Sequence, residues 1–231
     1  MDRFNRTEMI IGSENLEKLK NSNILVFGLG GVGGSLCESL VRAGVSNISI
    51  VDRDIVDETN INRQAIATEK TIGMKKTDAM EERLKSINSE INIKKYNVNL
   101  SSDTIDEFNF EEYDYIADAI DTVSAKILLA EKAKEKNVKL IMSMGMGNKL
   151  DPTKIEVADI SKTSVCHLAR VLRREFKKRN IKDIKVVYSK EEARKPLFKL
   201  ENESTPGSMS FVPPVCGMVM SSVIIGDLIA L

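Results

Sequence analysis

Short apolar runs alternate along this chain with longer segments in which apolar residues recur every three or four positions. The short runs have the length and composition of buried strands, and the longer segments have the period of helices packed on one side. The predicted strands cover residues 23–27, 47–51, 91–98, 113–120 and 138–142. The helices between them include a segment that ends at Gly44, residues 75–87 and residues 126–136. This alternation predicts an α/β fold, with a Rossmann-like, mostly parallel sheet and helices on both faces.

The pattern is weaker in the last third of the chain, where polar segments separate the predicted elements. These elements are an edge strand at residues 155–159, a helix over residues 165–179 and a strand at residues 186–188. We therefore divide the chain into an N-terminal helical arm (1–22), a Rossmann-like core (23–150) and a C-terminal extension of the same domain (151–231).

The C-terminal residues 211–231 are apolar enough to raise the question of a membrane span. Such a span needs about 20 predominantly apolar residues. Pro213 and Pro214 lie near the start of this stretch, and Asp227 lies inside it. These residues favour a helix that is buried in the protein or at an interface.

The 231 residues carry no formal net charge, but their charges are unevenly distributed. Residues 161–199 contain 13 Lys and Arg against 4 Asp and Glu. Leu168, Leu172 and Phe176 occupy one face of the helix predicted there, and basic residues occupy another. A basic stripe of this kind can follow a phosphate backbone, although a solvated helix face is the plainer alternative. The basic residues at helical spacing are Arg170, Arg173, Arg174, Lys177 and Lys178.

The cysteines and the N-terminus indicate the compartment. Cys37, Cys166 and Cys216 lie far apart and form no C-x-x-C pair, which argues against a structural zinc site and against a disulfide framework. The N-terminus is charged and lacks an apolar segment, so we expect a cytoplasmic protein. Cys37 and Cys216 are predicted to be core thiols, and Cys166 is predicted to be exposed. The only histidine, His167, is given no catalytic role.

A glycine motif follows the first predicted strand and opens the next helix. It reads Gly28-x-Gly30-x-x-Gly33. Glycine permits the tight turn and lets the backbone approach a phosphate, which then lies on the helix N-terminus. Asp52 ends the second strand, 19 residues after Gly33, where an acid can accept hydrogen bonds from ribose hydroxyls. The motif predicts a nucleotide site without separating NAD, FAD, SAM and ATP; close packing of helix on strand is the alternative role of these glycines.

Polar residues after the second strand favour a triphosphate among these nucleotides. Asn60, Arg63 and Lys76 lie in one short segment, and Arg and Lys supply charge-assisted hydrogen bonds to phosphate oxygens. A dehydrogenase has no use for this set. Asp121 ends a predicted strand, and because parallel sheets bind ligands beyond the carboxyl ends of their strands, Asp52 and Asp121 should converge. A carboxylate beside a triphosphate most simply holds Mg²⁺.

Together these motifs resemble the E1-like adenylating family, the superfamily of ubiquitin-activating enzymes and their bacterial relatives in molybdopterin and thiamine biosynthesis. The resemblance covers roughly the first 150 residues. The matching residues are Arg3-Phe4-Asn5-Arg6, Gly28-Leu29-Gly30-Gly31-Val32-Gly33, Asp52-x-Asp54, Asn60-x-x-Arg63-Gln64, Gly73-x-x-Lys76 and Ala119-Ile120-Asp121-Thr122.

The resemblance implies that the core binds ATP and Mg²⁺ and that each matched position has a role. Gly30 and Gly31 would face the phosphates, and Asp52 would bind the ribose. Asp121 would bind Mg²⁺ and support adenylation. Arg6 would reach the γ-phosphate of the neighbouring subunit, which implies a homodimer. The implied ATP-contacting residues are Gly28, Gly30, Gly31, Gly33, Asp52, Asp54, Asn60, Arg63, Gln64, Lys76 and Asp121, and the implied catalytic residues are Arg6, Arg63, Lys76 and Asp121.

The rest of the chain resembles the branch of this family that acts on tRNA. The residues that carry this second resemblance are the basic segment and residues 151–155, 159–163 and 207–214. With them, the similarity to the family covers nearly the whole chain. It implies that ATP activates the carboxylate of a threonylcarbamoyl group on adenosine 37 and that this group then cyclises with loss of water. Residues 151–231 would bind that tRNA and contribute to dimerisation, and DNA is not an expected ligand.

Other functions stay open. The nearest is adenylation of the C-terminus of a ubiquitin-like sulfur-carrier protein, although the enzymes that do so usually carry paired C-x-x-C zinc ligands, which are absent here. A non-catalytic nicotinamide-binding sensor would leave Arg63 and Lys76 without a purpose, and a tRNA-binding module would not need Asp121. The resemblance also leaves room for a sulfur-transfer partner of the cysteine desulfurase or SufE-like type, and for a monovalent cation that orders the C-terminal loops.

Overall fold

The computed structural model describes residues 2–198 and 205–230. The helices are α1 (Asn5–Ile11), α2 (Ser13–Asn21), α3 (Gly31–Ala43), α4 (Lys76–Ile87), α5 (Val123–Glu135), α6 (His167–Lys178) and α7 (Val212–Ile229). The strands are β1 (Asn23–Phe27), β2 (Asn47–Val51), β3 (Asn92–Tyr96), β4 (Tyr115–Asp118), β5 (Lys139–Ser143), β6 (Ile155–Asp159) and β7 (Lys185–Ser189).

All seven strands belong to one sheet in the order β3-β2-β1-β4-β5-β7-β6. Every neighbouring pair is parallel except β6 with β7, which is antiparallel. Because β6 lies at one end of this order, it is an edge strand, as predicted. The chain runs from β1 outward to β3 and then returns to place β4 on the other side of β1. Open parallel sheets bind ligands where the strand order reverses in this way. The mostly parallel Rossmann-like sheet is therefore confirmed, and its switch point lies between β1 and β4.

The residues of β1 show how the sheet is buried on both faces. Side chains alternate between the two faces of a strand. Ile24 and Val26 therefore pack in one cluster with α3, α4 and α7, whereas Leu25 and Phe27 pack in another with α5 and Phe108. Burying each such side chain contributes about 1.5–3 kcal/mol. The helical layers on both faces position the carboxyl edge of the sheet, where the predicted site residues lie.

The apolar C-terminal stretch forms α7, which has the length and mean hydropathy, 1.7, of a membrane-spanning helix. One side of α7 packs against α3, and Cys216, Met220 and Ile224 are fully buried there. The charged residue inside the stretch also has partners: Oδ2 of Asp227 accepts hydrogen bonds from the Tyr115 hydroxyl at 2.7 Å and from Nζ of Lys185 at 2.6 Å. These contacts make α7 a helix of the protein core, as predicted.

We expect Asp227→Asn to lower the free energy of unfolding by about 1–3 kcal/mol near neutral pH, because Tyr115 and Lys185 lose a charged acceptor. Burial acts to raise the pKa of the Asp227 carboxyl, but the hydrogen bonds from Lys185 and Tyr115 outweigh it and hold the pKa below 3.8. A depressed folded-state pKa gives stability that is complete above the ordinary pKa and is lost as the pH falls through the folded value. Urea unfolding of both proteins at about pH 7 and about pH 3 should therefore show a difference that shrinks in acid. Asp183→Asn, in an exposed loop, is the control. A loss of stability in Asp227→Asn that is the same at both pH values would contradict a stabilising role of the ionised Asp227 carboxylate.

The arm and the loops complete the described structure. The predicted helical arm consists of two short helices, α1 and α2, and Leu16 and Leu19 of α2 are buried. Residues 190–198 and 205–210, in one of the polar segments noted in the sequence, form neither helix nor strand, and residues 199–204 of that segment lie outside the described part. β6 and β7, from the C-terminal third, complete the same sheet as the core strands.

Candidate nucleotide-binding site

Three neighbouring strands end together at the switch point and carry the predicted nucleotide residues. Phe27, the last residue of β1, is in register with Val51 of β2 and Asp118 of β4. The backbone N–H of Gly28 donates to the carbonyl oxygen of Val51 at 2.8 Å, and that of Ala119 donates to the carbonyl oxygen of Phe27 at 2.8 Å. The structure therefore brings the glycine loop, the residues after β2 and the residues after β4 to one edge.

The first and last glycines of the motif are required by packing. Gly28 has a φ of 89°, and a Cβ there would lie 2.7 Å from the carbonyl oxygen of Ala119. A Cβ on Gly33 would lie 1.8 Å from the carbonyl oxygen of Gly28, which no side chain can tolerate. The alternative role weighed for these glycines, close approach of helix and strand, therefore holds for both.

The two middle glycines differ from each other. Gly31 is buried, and a Cβ there would lie 2.9 Å from Cβ of Pro213. Gly30, the residue before α3, has a φ of −71°, and a Cβ there would have no neighbour within 4 Å. Because the first amide groups of a helix lack intrahelical acceptors, the open side at Gly30 is where the N-terminus of α3 can receive an anion.

Asp52 holds the glycine loop in place. Its Oδ2 accepts a hydrogen bond from the Leu29 backbone N–H at 2.7 Å, and its Oδ1 accepts one from the Asp54 backbone N–H at 2.8 Å. Each carboxylate oxygen keeps a second lone pair. Asp52 thus has a structural role that the motif alone did not reveal, and its predicted contact with a ribose uses the remaining acceptor capacity.

Asn60 and Arg63 are placed by a short 3-10 helix at Glu58–Asn60. Asn60 is buried, and its Oδ1 accepts a hydrogen bond from the Asp57 backbone N–H at 3.2 Å. Nη1 of Arg63 donates to the Thr59 carbonyl oxygen at 2.9 Å, which holds the guanidinium at this turn. Among the described residues Arg63 forms no ion pair, so its charge is available to an anionic ligand.

Lys76 and Gln64 are buried beside this turn. Nζ of Lys76, the first residue of α4, donates to Oδ2 of Asp54 at 2.9 Å. Gln64 Oε1 is buried without a hydrogen-bond partner in the described part of the chain. Because buried polar atoms are almost always paired, this oxygen is a group that a ligand can satisfy. Asp54 and Gln64, both taken from the motifs, therefore lie next to the predicted triphosphate residues.

Asp121 is exposed in the loop between β4 and α5, and the Thr122 hydroxyl donates to its Oδ1 at 3.3 Å. No ion pair involves this carboxylate within residues 2–198 and 205–230, and no three His, Cys, Asp or Glu side chains cluster there as a metal site. Mg²⁺ at nucleotide sites is commonly held by one or two carboxylates together with phosphates. A single open carboxylate at this edge fits that ion.

A buried ion pair beneath this loop was missed by the sequence analysis. Asp118 and Lys126 are both fully buried, and Nζ of Lys126 donates to Oδ2 of Asp118 at 2.9 Å. Burial raises the pKa of the Asp118 carboxyl, and the Lys126 ammonium opposes this effect. Two signals in the sequence could have predicted this pair: an acid inside an apolar strand and a lysine on the apolar side of a helix. Asp and Lys side chains are almost never fully buried unless they are paired.

Arg6 lies at the opposite edge of the sheet within one chain. Phe4 lies near Gly44 at the C-terminal end of α3, and Nη1 of Arg3 donates to the Ile87 carbonyl oxygen at the end of α4. The candidate nucleotide site lies at the N-terminal end of α3, about 20 Å away along a helix of this length. The structure therefore does not bring Arg6 to the site of its own chain.

The basic helix α6 is amphipathic as predicted, with Ala169, Leu172 and Phe176 buried. Two of the five predicted basic residues are engaged within the protein. Arg173 donates to the Thr163 carbonyl oxygen at 2.9 Å, and Lys178 pairs with Glu175 at 2.7 Å. The three that are exposed and form no ion pair among the described residues are Arg170, Arg174 and Lys177.

The prediction that Cys166 is exposed was wrong. It is 7% exposed and packs in the cluster formed by α5, α6, β5 and β7, because it precedes α6 on the side that faces the core. Cys37 and Cys216 are fully buried, as predicted, and burial raises the pKa of the Cys216 thiol to about 12. His167 is exposed at the start of α6. None of the three thiols is placed as a nucleophile.

Comparisons with known proteins agree with this geometry. The model of the ThiF family matches residues 4–230. The tRNA threonylcarbamoyladenosine dehydratase of Bacillus subtilis is 38% identical over 242 aligned positions, which cover 99% of this chain and 95% of that protein. The adenylyltransferase and sulfurtransferase UBA4 of Vanderwaltozyma polyspora is 37% identical, but the match covers 59% of this chain and 31% of that protein.

The fold comparison points to the same proteins. The crystal structure of the Escherichia coli tRNA N6-threonylcarbamoyladenosine dehydratase in complex with ATP superposes with a TM-score of 0.91 at 30% identity, covering 99% of this chain and 94% of that chain. The structure of that protein with AMP gives the same values. The curated sequence match with the protein from Escherichia coli is 34% identical and covers 76% of this chain and 65% of that protein.

Proposed function

The chain belongs to the ThiF family, and from this premise we propose that it is an ATP-dependent, adenylate-forming enzyme that dehydrates threonylcarbamoyladenosine at position 37 of tRNA. The observation that carries the proposal is the extent of the similarity: 99% of this chain and 95% of the Bacillus subtilis dehydratase align. The match with the adenylyltransferase and sulfurtransferase UBA4 covers a much smaller part of both chains, so the alternative function has less support.

The proposed reaction has two steps. The carboxylate of the threonyl group attacks the α-phosphorus of ATP, which forms an acyl-adenylate and releases pyrophosphate. An atom of the same modified nucleoside then attacks the activated carbonyl carbon, which closes a ring and releases AMP. The sum is the loss of one water from the nucleoside as ATP becomes AMP and pyrophosphate, and no protein nucleophile is needed.

The described residues would supply positioning and charge for this chemistry. The amide groups at the start of α3 would receive phosphate oxygens at the open side of Gly30. Arg63 and Lys76 would neutralise phosphate charge, and Asp121 would hold Mg²⁺. When bound, Mg²⁺ would withdraw charge from the phosphate oxygens. The structures of the Escherichia coli relative in complex with ATP and with AMP support the nucleotide, whereas Mg²⁺ is supported by the open carboxylate of Asp121.

We propose that the exposed face of α6 binds the phosphate backbone of tRNA. The expected result for Arg174→Gln combined with Lys177→Gln is weaker tRNA binding and a salt slope smaller by about 2, because each lost phosphate contact removes about one unit. Binding should be followed by fluorescence anisotropy over a range of potassium chloride concentrations. Lys18→Gln combined with Lys20→Gln, on α2, is the control of equal charge change. Unchanged affinity and slope in the α6 variant would remove this face from the proposal.

We also propose that the protein is a homodimer in which Arg6 of the partner subunit completes the site. Met9 and Ile10, in the helix that carries Arg6, are 84% and 85% exposed, which supports a partner that covers α1. A cavity of about 500 Å³ adjoins Arg63, and the exposed Met218 lies in its wall. A second copy is therefore a suitable occupant of this side of the site.

Two expectations receive less support. Sulfur transfer from a cysteine desulfurase or SufE-like partner would need a reachable thiol, and all three cysteines are buried. At the C-terminal loops the buried ammonium of Lys149 donates to the carbonyl oxygens of Ser189 and Glu191, so we leave the monovalent cation out of the proposal. The cytoplasmic location remains part of it, supported by the three unpaired thiols.

The decisive experiment uses the purified protein with ATP, Mg²⁺ and tRNA that carries the open threonylcarbamoyl group. Mass spectrometry of the digested tRNA should show conversion to the nucleoside that has lost one water, with equal amounts of AMP and pyrophosphate. Unmodified tRNA and ubiquitin-like carrier proteins serve as controls. Pyrophosphate release that requires a carrier protein and does not depend on the tRNA would contradict the proposal and would favour adenylation of a carrier protein.

A further inference from the structure

The buried ion pair of Asp118 and Lys126 encloses the loop that carries Asp121. Asp118 is the last residue of β4, and Lys126 lies one turn into α5. The backbone N–H of Lys126 donates to the carbonyl oxygen of Thr122 at 3.1 Å, so that helical turn begins directly after the loop. The ion pair thus joins the two ends of residues 119–122 from below.

Further hydrogen bonds fix the pair and the loop to each other. Oδ1 of Asp118 accepts from the Ile120 backbone N–H at 2.9 Å, inside the loop itself. Nζ of Lys126 also donates to the carbonyl oxygen of Ser143, the last residue of β5, at 2.7 Å. The carbonyl oxygen of Ala119 lies where a Cβ on Gly28 would approach to 2.7 Å. A shift of this loop would therefore move Asp121, whereas Gly28 stays held by the hydrogen bond from its N–H to the Val51 carbonyl oxygen of β2.

Stability alone is a poor explanation for this pair. Removing two charges from water is costly, and replacing a fully buried ion pair by neutral residues of similar size is often neutral or stabilising. At the opposite edge of the sheet the partly exposed pair of Lys185 and Asp227 joins α7 to β7 without that burial. Because stability does not explain a fully buried ion pair at the end of β4, we look for its role in the nucleotide site that lies directly above it.

We propose that Asp118 and Lys126 are positioning residues that hold the 119–122 loop so that the Asp121 carboxylate meets the Mg²⁺-bound phosphates of ATP. This inference rests on the proposed function, because it takes Asp121 as the metal-binding carboxylate. Partners that orient metal ligands typically change metal affinity by 10–100-fold when they are removed. The pair should accordingly affect the Mg²⁺-dependent part of ATP binding and leave the rest nearly unchanged.

The test is the double variant Asp118→Asn, Lys126→Met, which removes both charges and leaves no unpaired buried ion, so that it is expected to fold. Calorimetric titration with ATP in Mg²⁺ and with ATP in EDTA separates the two parts of binding. We expect the affinity in Mg²⁺ to fall by about 10–100-fold and the affinity in EDTA to change by less than about twofold. Lys185→Met, at the opposite edge, is the matched control and should change neither affinity. Thermal unfolding of each protein checks the fold.

Each result decides the inference. A folded double variant that binds ATP in Mg²⁺ as tightly as the wild type would overturn it, and so would an equal loss in Mg²⁺ and in EDTA. Asp118→Leu combined with Lys126→Met, which replaces both charges by apolar side chains of similar size, provides the same comparison if the first double variant does not fold. Wild-type protein that binds no ATP in either buffer would instead overturn the proposed function, because that result precedes any comparison of variants.

Discussion

Asp121→Asn is expected to lower the rate of acyl-adenylate formation by roughly 10²–10³-fold, the loss seen when one group that stabilises transition-state charge is removed. The reason is that this exposed carboxylate forms no ion pair among the described residues and follows the strand next to the glycine loop. Pyrophosphate exchange measured with the tRNA substrate gives the rate, and thermal unfolding should match that of the wild type. Asp183→Asn is the control at a distant exposed acid. Exchange within about twofold of wild type would remove Asp121 from the chemistry.

The same variant also tests whether the partner subunit completes the site. Arg6→Ala alone should be inactive if the residue acts across the dimer. An equal mixture of Arg6→Ala and Asp121→Asn subunits should recover roughly a quarter of the wild-type activity, because random pairing leaves that share of sites intact. A mixture that stays inactive while its subunits exchange would contradict a shared site, without affecting the assignment of Asp121.

Gly33→Ala is expected to destabilise the protein by about 3 kcal/mol or more, because overpacked positions with no room to relax give the largest effects of single substitutions. The added methyl group would lie 1.8 Å from the carbonyl oxygen of Gly28. Gly30→Ala is the matched control, since its methyl group would meet nothing within 4 Å. Urea unfolding should separate the two variants clearly.

Gly30→Ala, the variant expected to keep its stability, should instead lose affinity for ATP. Gly30→Ala should fold like the wild type and bind ATP at least about tenfold more weakly, because a side chain would stand where the phosphates approach the backbone. Calorimetric titration measures this. Wild-type affinity in folded Gly30→Ala would mean that the open side of the loop is not the phosphate side.

The sequence analysis succeeded where the signal was local. The strand at residues 23–27 and the glycines after it were predictable because apolar length and turn chemistry are set by neighbouring residues. Asp52 and Asp121 were expected at one edge because parallel strands end together, and their strands flank β1. The topology of a parallel sheet therefore predicts which strand-end residues lie together at the candidate site.

The failures involve contacts between distant segments. The link from Lys126 to Ser143 joins α5 to the end of β5, and no periodicity in either segment reports it. Cys166 was expected at the surface because basic residues follow it, but the turn before α6 directs it into the core. Arg173 was assigned to tRNA, and its partner Thr163 belongs to a preceding loop. Burial and pairing of single side chains depend on tertiary packing, which a pattern of residue types does not contain.

The contacts of α7 give the last residues of the chain a direct part in the glycine loop. Its Pro213 lies against Gly31, and its Asp227 is tied to Tyr115 of β4 at the other end of the same helix. A fragment that stops at residue 150 would retain every nucleotide motif, yet it would leave Leu36 and Leu40 of α3 without the helix that covers them. The minimal unit able to bind a nucleotide therefore includes α7, and a gene product that lacks this helix should be captured by chaperones or precipitate instead of surviving as a small nucleotide binder.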